Sequence, residues 1–345
     1  MPPASWQAPA LTLAIGALGA AVFALLSFPV PYLTGPATAV TVAGLAGIRT
    51  EALPQRARDV VFVILGLTIG QGVTPEVLDA IRAWPITLVS LAASLIVMIL
   101  ATRALLVRYW SMDPTTAFLA SSPGHLSYVL GLTEGVKADL KAVAIVQSIR
   151  VLALTLIVPA AITFAGHLPE RGTAAPEETA PLPFLAMTLI AVLAGYLLKR
   201  LKLPAAFLIG GMLVSIALHV TGLVDGTVNQ WLVAAAFISL GALIGSRFSG
   251  VGRQELMRSL SAGVMVTVLS VVLAVAFAAL AAYLTGMNFL AVLIAFSPGG
   301  LETMAAMSVL LGLDPTFVAS HHVARLLMLT VIVPLLVLGG GKSRG

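Results

Sequence analysis

The chain matches itself without a gap when its first half is shifted by 175 positions. The match extends from about residue 32 to residue 159 and includes glycines, prolines and charged residues. Such long self-similarity in an apolar chain is typical of membrane proteins built from two structural repeats. We therefore predict a first repeat at 1–165, an exposed linker at 166–180 and a second repeat at 181–345. Clear pairs at this offset are Gly66 with Gly241, Ser122 with Ser297, Asp139 with Asp314, Arg150 with Arg325 and Pro159 with Pro334.

The composition indicates that the chain folds in lipid. Of its 345 residues, 59% are hydrophobic and 10% are charged, whereas a soluble domain has about 25% charged residues. We predict an all-α, polytopic membrane protein. The absence of cysteine excludes disulfides, thiolate metal sites and thiol catalysis. We attribute the net charge of +5 to basic membrane loops and expect no nucleic-acid partner.

Twelve apolar segments follow one another, six in each half, and several are shorter than the roughly 20 residues that a membrane helix needs. In the first half they lie at about 10–27, 31–48, 59–75, 84–107, 114–134 and 139–165. In the second half they lie at about 181–198, 204–221, 232–248, 259–284, 288–312 and 314–339.

The distribution of lysine and arginine selects between two topologies. If all six segments of a repeat cross, the repeats are parallel and the basic loops fall on opposite sides. If the segments at 114–134 and 288–312 enter and leave on one side, the repeats are inverted, and 15 of the 19 basic residues share one face. We predict this inverted form, with about ten crossing helices, an inner-membrane location and both termini cytoplasmic. The same number of crossings results if the broken segment crosses the membrane and another segment of the repeat does not. This alternative stays open.

The two Ser-Pro-Gly segments are predicted to hold the binding site. Proline removes a backbone donor and glycine frees the chain, and non-helical backbone at membrane depth is stable only where protein buries it or water reaches it. The alternative is that each Pro-Gly merely separates two helices. The predicted substrate contacts at the breaks are Ser122, Pro123, Gly124, His125, Ser297, Pro298, Gly299 and Gly300.

Two arginines lie where a charge is costly. Arg150 and Arg325 follow the predicted N-caps Asp139 and Asp314 by 11 residues, or about 16 Å of helix. A charge near the bilayer centre costs several kcal/mol unless it is partnered. We predict that both guanidiniums hold an anionic substrate. Structural bonding to carbonyls of the broken segments is an equal alternative, and both roles can coexist.

Three further ionisable residues near the second break are candidates for coupling. Glu302 follows Gly299 by three residues and can cap a half-helix or carry a proton or cation. His321 and His322 precede Arg325 by four and three residues, and adjacent helical residues point about 100° apart. They can serve as a proton relay or as hydrogen-bonded structure. We expect no metal site and no cofactor, because too few ligands converge.

The second half also carries a family signature. The residues concerned are Ser297-Pro298-Gly299-Gly300-Leu301-Glu302-Thr303-Met304, Leu313-Asp314-Pro315, His321-His322-Val323-Ala324-Arg325, and Leu203-Pro204-Ala205-Ala206 with Gly210. Together they resemble the AbrB family of bacterial membrane proteins, which is similar to the cation/proton antiporter and anion transporter superfamily. The resemblance implies inverted repeats, a transport domain moving against a scaffold, and a homodimer. His125, in place of the second glycine, departs from the pattern in the first repeat.

Three functions are compatible with these features. We favour a secondary transporter of a small anionic or zwitterionic solute, coupled to H⁺ or Na⁺ and working by alternating access. A membrane regulator that affects gene expression indirectly is the first alternative. A metal-dependent monooxygenase, after the label ammonia monooxygenase used in the family, is disfavoured, and we expect no enzymatic activity.

Overall fold

The structure is a computed structural model that describes residues 7–71, 84–123, 138–164, 177–201, 203 and 205–340. Gly124, His125 and most of the predicted linker lie outside these residues. Apart from one backbone pairing between Glu178 and Thr227, the regular structure of the described residues is entirely helical. The predicted all-α class is therefore confirmed for the part of the chain that the structure describes.

The helices begin and end close to the bounds of the apolar segments in the sequence. Those of the first half are α1 (Gln7–Leu25), α2 (Pro31–Leu45), α3 (Gln55–Gly70), α4 (Trp84–Trp110), α5 (Pro114–Ser121) and α6 (Leu140–Phe164). Those of the second half are α7 (Pro181–Arg200), α8 (Ala206–Val220), α9 (Gln230–Ser246), α10 (Arg253–Thr285), α11 (Phe289–Phe296), α12 (Leu301–Leu310) and α13 (Pro315–Gly340).

Five of the described helices are long and apolar enough to cross a membrane, namely α1, α4, α6, α7 and α10. The apolar helices α8 and α9 are shorter. Along α7 the leucines at positions 185, 189, 193 and 197 form a stripe that is more than half exposed. Because a water-soluble helix turns its apolar stripe inward, this outward-facing stripe is the arrangement expected of a protein in lipid.

The chain divides into two compact units, and each draws on both halves of the sequence. The first unit comprises Met1–Asp79, Thr155–Gly252 and Leu301–Thr316. The second comprises Ala80–Leu154, Arg253–Gly300 and Phe317–Gly345. These compact units are therefore a different division of the chain from the predicted sequence repeats.

In the first unit, glycines bring helices from the two halves into close contact. A Cβ added at Gly66 of α3 would lie within 3.0 Å of the Leu208 carbonyl oxygen of α8. A Cβ added at Gly241 of α9 would meet the Leu33 carbonyl oxygen of α2 equally closely. Both partners of the second contact are 175 positions from those of the first, so the two contacts are equivalent with the halves exchanged. The glycines allow backbone-to-backbone packing that no larger residue permits.

Basic loops also come together within each unit. In the first unit, Lys199 Nζ lies 3.5 Å from Asp59 Oδ2, and the Thr50 backbone N–H donates to Ser249 Oγ at 3.0 Å. These contacts join the start of α3 to the end of α7, and the loop before α3 to the loop after α9. In the second unit, Lys141 Nζ lies 3.2 Å from Glu255 Oε1, which joins the start of α6 to the start of α10.

The second unit contains two short helices that stop at the Ser-Pro sequences. Helices α5 and α11 are each eight residues long and begin at N-caps 175 positions apart, Asp113 and Asn288, whose side chains accept backbone N–H groups of the first turn. Each helix ends at a serine whose ψ is extended, 119° at Ser122 and 132° at Ser297. A residue before proline is pushed out of the helical region, so the proline that follows each serine ends the helix.

Candidate functional site

Each Ser-Pro break meets one buried arginine of the same unit. Arg150 Nη2 donates to the Ser122 carbonyl oxygen at 3.3 Å, and Arg325 Nη1 donates to the Ser297 carbonyl oxygen at 2.6 Å. Each arginine lies 28 residues after its serine, and each is only 1% exposed. The structure therefore places both predicted arginines against the predicted breaks. Both guanidiniums donate hydrogen bonds to backbone carbonyls, which is the arrangement that the alternative of structural bonding predicts.

The helices that carry these arginines begin at the predicted caps. Asp139 Oδ1 accepts the Ala142 backbone N–H at 3.0 Å, and Asp314 Oδ1 accepts the Thr316 backbone N–H at 2.9 Å. Helix α13 has Pro315 as its first residue, the position where a missing N–H costs nothing. Because both caps set the helix start at the same distance from the arginine, the two guanidiniums reach equivalent places.

At the second break, the guanidinium of Arg325 is held by several acceptors. Its Nη2 donates to the Gly299 carbonyl oxygen at 2.6 Å and contacts His322 Nδ1 at 2.5 Å. His322 Nε2 lies 3.0 Å from the Ile294 carbonyl oxygen. A carbonyl requires a donor, so His322 carries its proton on Nε2, and Nδ1 accepts from Arg325. The arginine thus binds both sides of the Ser297 to Gly299 turn and the histidine one helical turn before it.

At the first break, the guanidinium of Arg150 has far fewer contacts. Among the described residues, its one hydrogen-bond partner is the Ser122 carbonyl, and its Nε and Nη1 are buried without a partner there. The position equivalent to His322 is occupied by Gln147, whose Nε2 donates to the Leu119 carbonyl oxygen at 2.9 Å. Leu119 is in turn the equivalent of Ile294. In both sites the residue at the position of Gln147 or His322 therefore bonds to the short helix. The sites differ in how many acceptors the N–H groups of the arginine bind.

The other adjacent histidine has separate partners. His321 Nδ1 lies 2.9 Å from the Phe317 carbonyl oxygen, and its Nε2 lies 2.7 Å from Thr87 Oγ1 of α4. Its ring packs edge-on against Trp84 at 5.6 Å between centroids. His322 and His321 are both fully buried, and they contact different elements, as expected from their 100° separation on the helix.

The remaining predicted site residues are placed as follows. The hydroxyls of Ser122 and Ser297 donate back to carbonyls of their own helices, Phe118 at 3.1 Å and Leu293 at 2.8 Å. Pro298 and Gly300 lie in the turn after α11. Glu302 is in the first turn of α12, and its side chain lies outside the described residues, as do Gly124 and His125. In the described ranges, no three His, Asp or Glu side chains converge as a metal site would require.

Sequence reasoning missed two buried partners of the site. Gln147 is not among the predicted site residues because glutamine is not ionisable, although the offset of 175 aligns it with His322. Thr87 could not have been found, since no sequence pattern connects it with His321, 234 positions away.

Comparison with known proteins identifies the family. Residues 32–338 match the family model described as AbrB, "Transition state regulatory protein AbrB". The chain is similar to "Uncharacterized protein YhjN" of Bacillus subtilis, with 29% identity covering 93% of this chain and 90% of the relative. It is also similar to "Putative regulator AbrB" of Escherichia coli, with 29% identity covering 90% of each chain. Since the family model spans most of the sequence, this apolar helical chain belongs to the AbrB family.

Proposed function

We propose that the protein is a secondary transporter of a small anionic or zwitterionic solute. The observation that carries the proposal is the pair of buried arginines, each bonded to the carbonyl at which a helix breaks. A buried guanidinium in an apolar chain is costly unless an anion or several acceptors neutralise it. Interrupted helices with exposed backbone groups are the usual solute sites of secondary transporters.

The proposed architecture is a pair of inverted repeats with about ten crossings and both termini in the cytoplasm. The ion pair between Lys199 and Asp59 supports it, because six crossings per repeat would put these two loops on opposite faces. The pairing of Lys141 with Glu255 joins two further loops that the inverted form assigns to the cytoplasmic face. The exchanged glycine contacts of Gly66 and Gly241 also support two equivalent halves.

Cysteine labelling tests this topology without background, because the chain has no cysteine of its own. In intact cells, Glu177→Cys should react with an impermeant maleimide from the outside, and Arg253→Cys should react only after the membrane is opened. Both positions are exposed. Equal reactivity of the two variants in intact cells would refute the inverted arrangement.

Solute binding is tested first by thermal unfolding of the purified protein with acetate, lactate, succinate and glutamate. We expect at least one acid to raise the unfolding temperature and to be taken up by proteoliposomes in a gradient of H⁺ or Na⁺. The exposed Arg253→Gln variant, which loses one positive charge elsewhere, should bind and transport as the wild type does. If none of the acids is bound or transported by the wild type, transport of small carboxylic acids is wrong.

A regulatory role is the second candidate, and the names of the family and of the Escherichia coli relative favour it. We propose that such regulation is indirect, through the concentration of a transported metabolite, and that it needs no nucleic-acid contact. Deletion of the gene should then change transcription, and supplying the solute or a transport-competent copy should restore it. Restoration by a copy that cannot transport would favour direct regulation.

We also propose that the protein has no catalytic metal or other cofactor and that it works as a homodimer in the inner membrane. Metal analysis of the purified protein separates this from the monooxygenase alternative, which requires stoichiometric copper or iron. Light scattering in detergent determines the oligomeric state. If the purified protein contains stoichiometric copper or iron and loses a monooxygenase activity when the metal is removed, the transport proposal is wrong.

A further inference from the structure

We propose that the solute binds through one carboxylate to Arg150, and that Arg325 is a positioning residue that does not touch it. This inference rests on the proposed function and concerns the same pair of arginines. It follows from counting the N–H groups that each guanidinium still has for a ligand. A guanidinium has five N–H groups, and an oxyanion binds best to two of them along one edge.

Arg325 has no complete edge left for a ligand. Its two-donor edges are Nε with Nη2 and Nη1 with Nη2, so both require a hydrogen of Nη2. Both Nη2 hydrogens are already used, one by the Gly299 carbonyl and one by His322 Nδ1. A third hydrogen, on Nη1, is used by the Ser297 carbonyl. Arg325 therefore fixes the second break and cannot also hold a carboxylate through two bonds.

Arg150 has a complete edge. The Ser122 carbonyl uses one hydrogen of Nη2, and no other described residue uses the second one. Whichever Nη2 hydrogen Ser122 accepts, the other one and either Nε or Nη1 form an intact edge. Nε and Nη1 are buried and have no partner among the described residues, and the side chain is 1% exposed. A buried donor without an acceptor is unfavourable, so a ligand acceptor would complete this site.

Charge balance identifies the chemical class of the ligand. The described residues include no carboxylate paired with Arg150, and one guanidinium neutralises one negative charge. A carboxylate supplies that charge and the two oxygens of a planar edge. A dianion such as sulfate would leave an uncompensated charge in a buried site. The solute is therefore an acid that presents one carboxylate to the first break.

One residue accounts for the difference between the two arginines. Gln147 and His322 are equivalent in sequence, and each donates through Nε2 to a carbonyl of the preceding short helix. Only His322 also offers an acceptor nitrogen to the arginine three residues later. If these two residues are exchanged, Arg325 should gain a free pair of N–H groups for a carboxylate and Arg150 should lose its pair. The bonds to the Leu119 and Ile294 carbonyls should remain.

The test measures the binding of acetate to purified full-length protein by the rise in unfolding temperature, with acetamide as the uncharged control and sulfate as the dianion. Acetate should stabilise the wild type, and acetamide and sulfate should not. Gln147→His should weaken acetate binding at least tenfold without lowering the unfolding temperature in the absence of ligand. His322→Gln should bind acetate at least as tightly as the wild type does.

The outcomes separate this inference from the proposed function. If Gln147→His binds acetate like the wild type, or if His322→Gln abolishes binding in a folded protein, the assignment to Arg150 is overturned and transport is not. If sulfate binds more tightly than acetate, the carboxylate class is wrong. If acetate binds as predicted but no acid is transported, the site stands and the transport function fails. Absence of binding of any carboxylate to the wild type overturns both.

Discussion

The two Ser-Pro breaks of this protein have the same backbone arrangement, but their arginines differ in their hydrogen bonds. Each follows an eight-residue capped helix, and each receives a guanidinium from a residue 28 positions later. Among the described residues, Arg325 at the second break donates to two carbonyls and a histidine, whereas Arg150 at the first break donates to one carbonyl at 3.3 Å. The comparison shows that two equivalent breaks can keep the same backbone geometry while one neighbouring side chain, His322 or Gln147, changes the partners of the arginine.

The largest expected effect comes from replacing each arginine with an apolar side chain of similar length. Arg325→Met leaves three buried acceptors without their donor, and at roughly 1–3 kcal/mol for each unsatisfied group we expect a loss of about 3 kcal/mol or more. Arg150→Met removes one long hydrogen bond and a buried charge, so we expect little change or a gain in stability. Unfolding of both variants in mixed micelles with increasing SDS measures the difference.

The exposed variant Arg253→Met controls for the loss of a positive charge and should unfold like the wild type. Equal destabilisation by Arg150→Met and Arg325→Met would contradict the comparison, because it would mean that the two guanidiniums stabilise the fold to the same extent.

A smaller effect tests whether the two halves are equivalent away from the breaks. Gly66→Ala and Gly241→Ala each force a Cβ against a backbone carbonyl, and overpacking of this kind costs about 1–3 kcal/mol. Because the contacts are equivalent, the two losses should be similar. Gly16→Ala is the matched control, since its Cβ would meet ordinary neighbours at 3.4 Å. A loss at only one of the two glycines would show that the halves pack differently.

The smallest effect concerns the caps of the two short helices. The backbone N–H of Thr116, which donates to the Asp113 carboxylate, lowers the pKa of Asp113 from its ordinary value of 3.8. Since the folded pKa is the lower one, Asp113 contributes stability above pH 3.8 that is lost as the pH falls through the folded value. Asn288, its equivalent, caps α11 without titrating.

Asp113→Asn should therefore keep the cap and remove this part of the acid sensitivity. Unfolding temperatures of the wild type and the variant between about pH 6 and pH 3 measure it, because an aspartate titrates near pH 4. Asn288→Ala, which loses a cap at the other helix, should lower stability by the same amount at every pH. An unchanged pH profile in Asp113→Asn would show that its charge does not contribute.

Much of the site could be predicted because its signals are local. The Pro-Gly sequences at 123 and 298 mark the ends of the two short helices before them, and Asp139 and Asp314 cap the helices that follow them. The position of Arg325 one helical turn after His322 also follows from helix geometry. The involvement of Thr87 could not be predicted, because it depends on α4 packing against the helix that carries His321.

The sequence by itself indicated an apolar, helical protein whose two halves match at one offset, with a helix break and an intramembrane arginine predicted in each half. Composition, proline positions and the constant offset of 175 carry this information without any knowledge of contacts. Only the tertiary structure decided which donors of each guanidinium are occupied. Hydrogen bonds to carbonyls 28 residues away depend on how helices pack and on the rotamer that this packing selects, and identical residues in two repeats can therefore differ in what they bind.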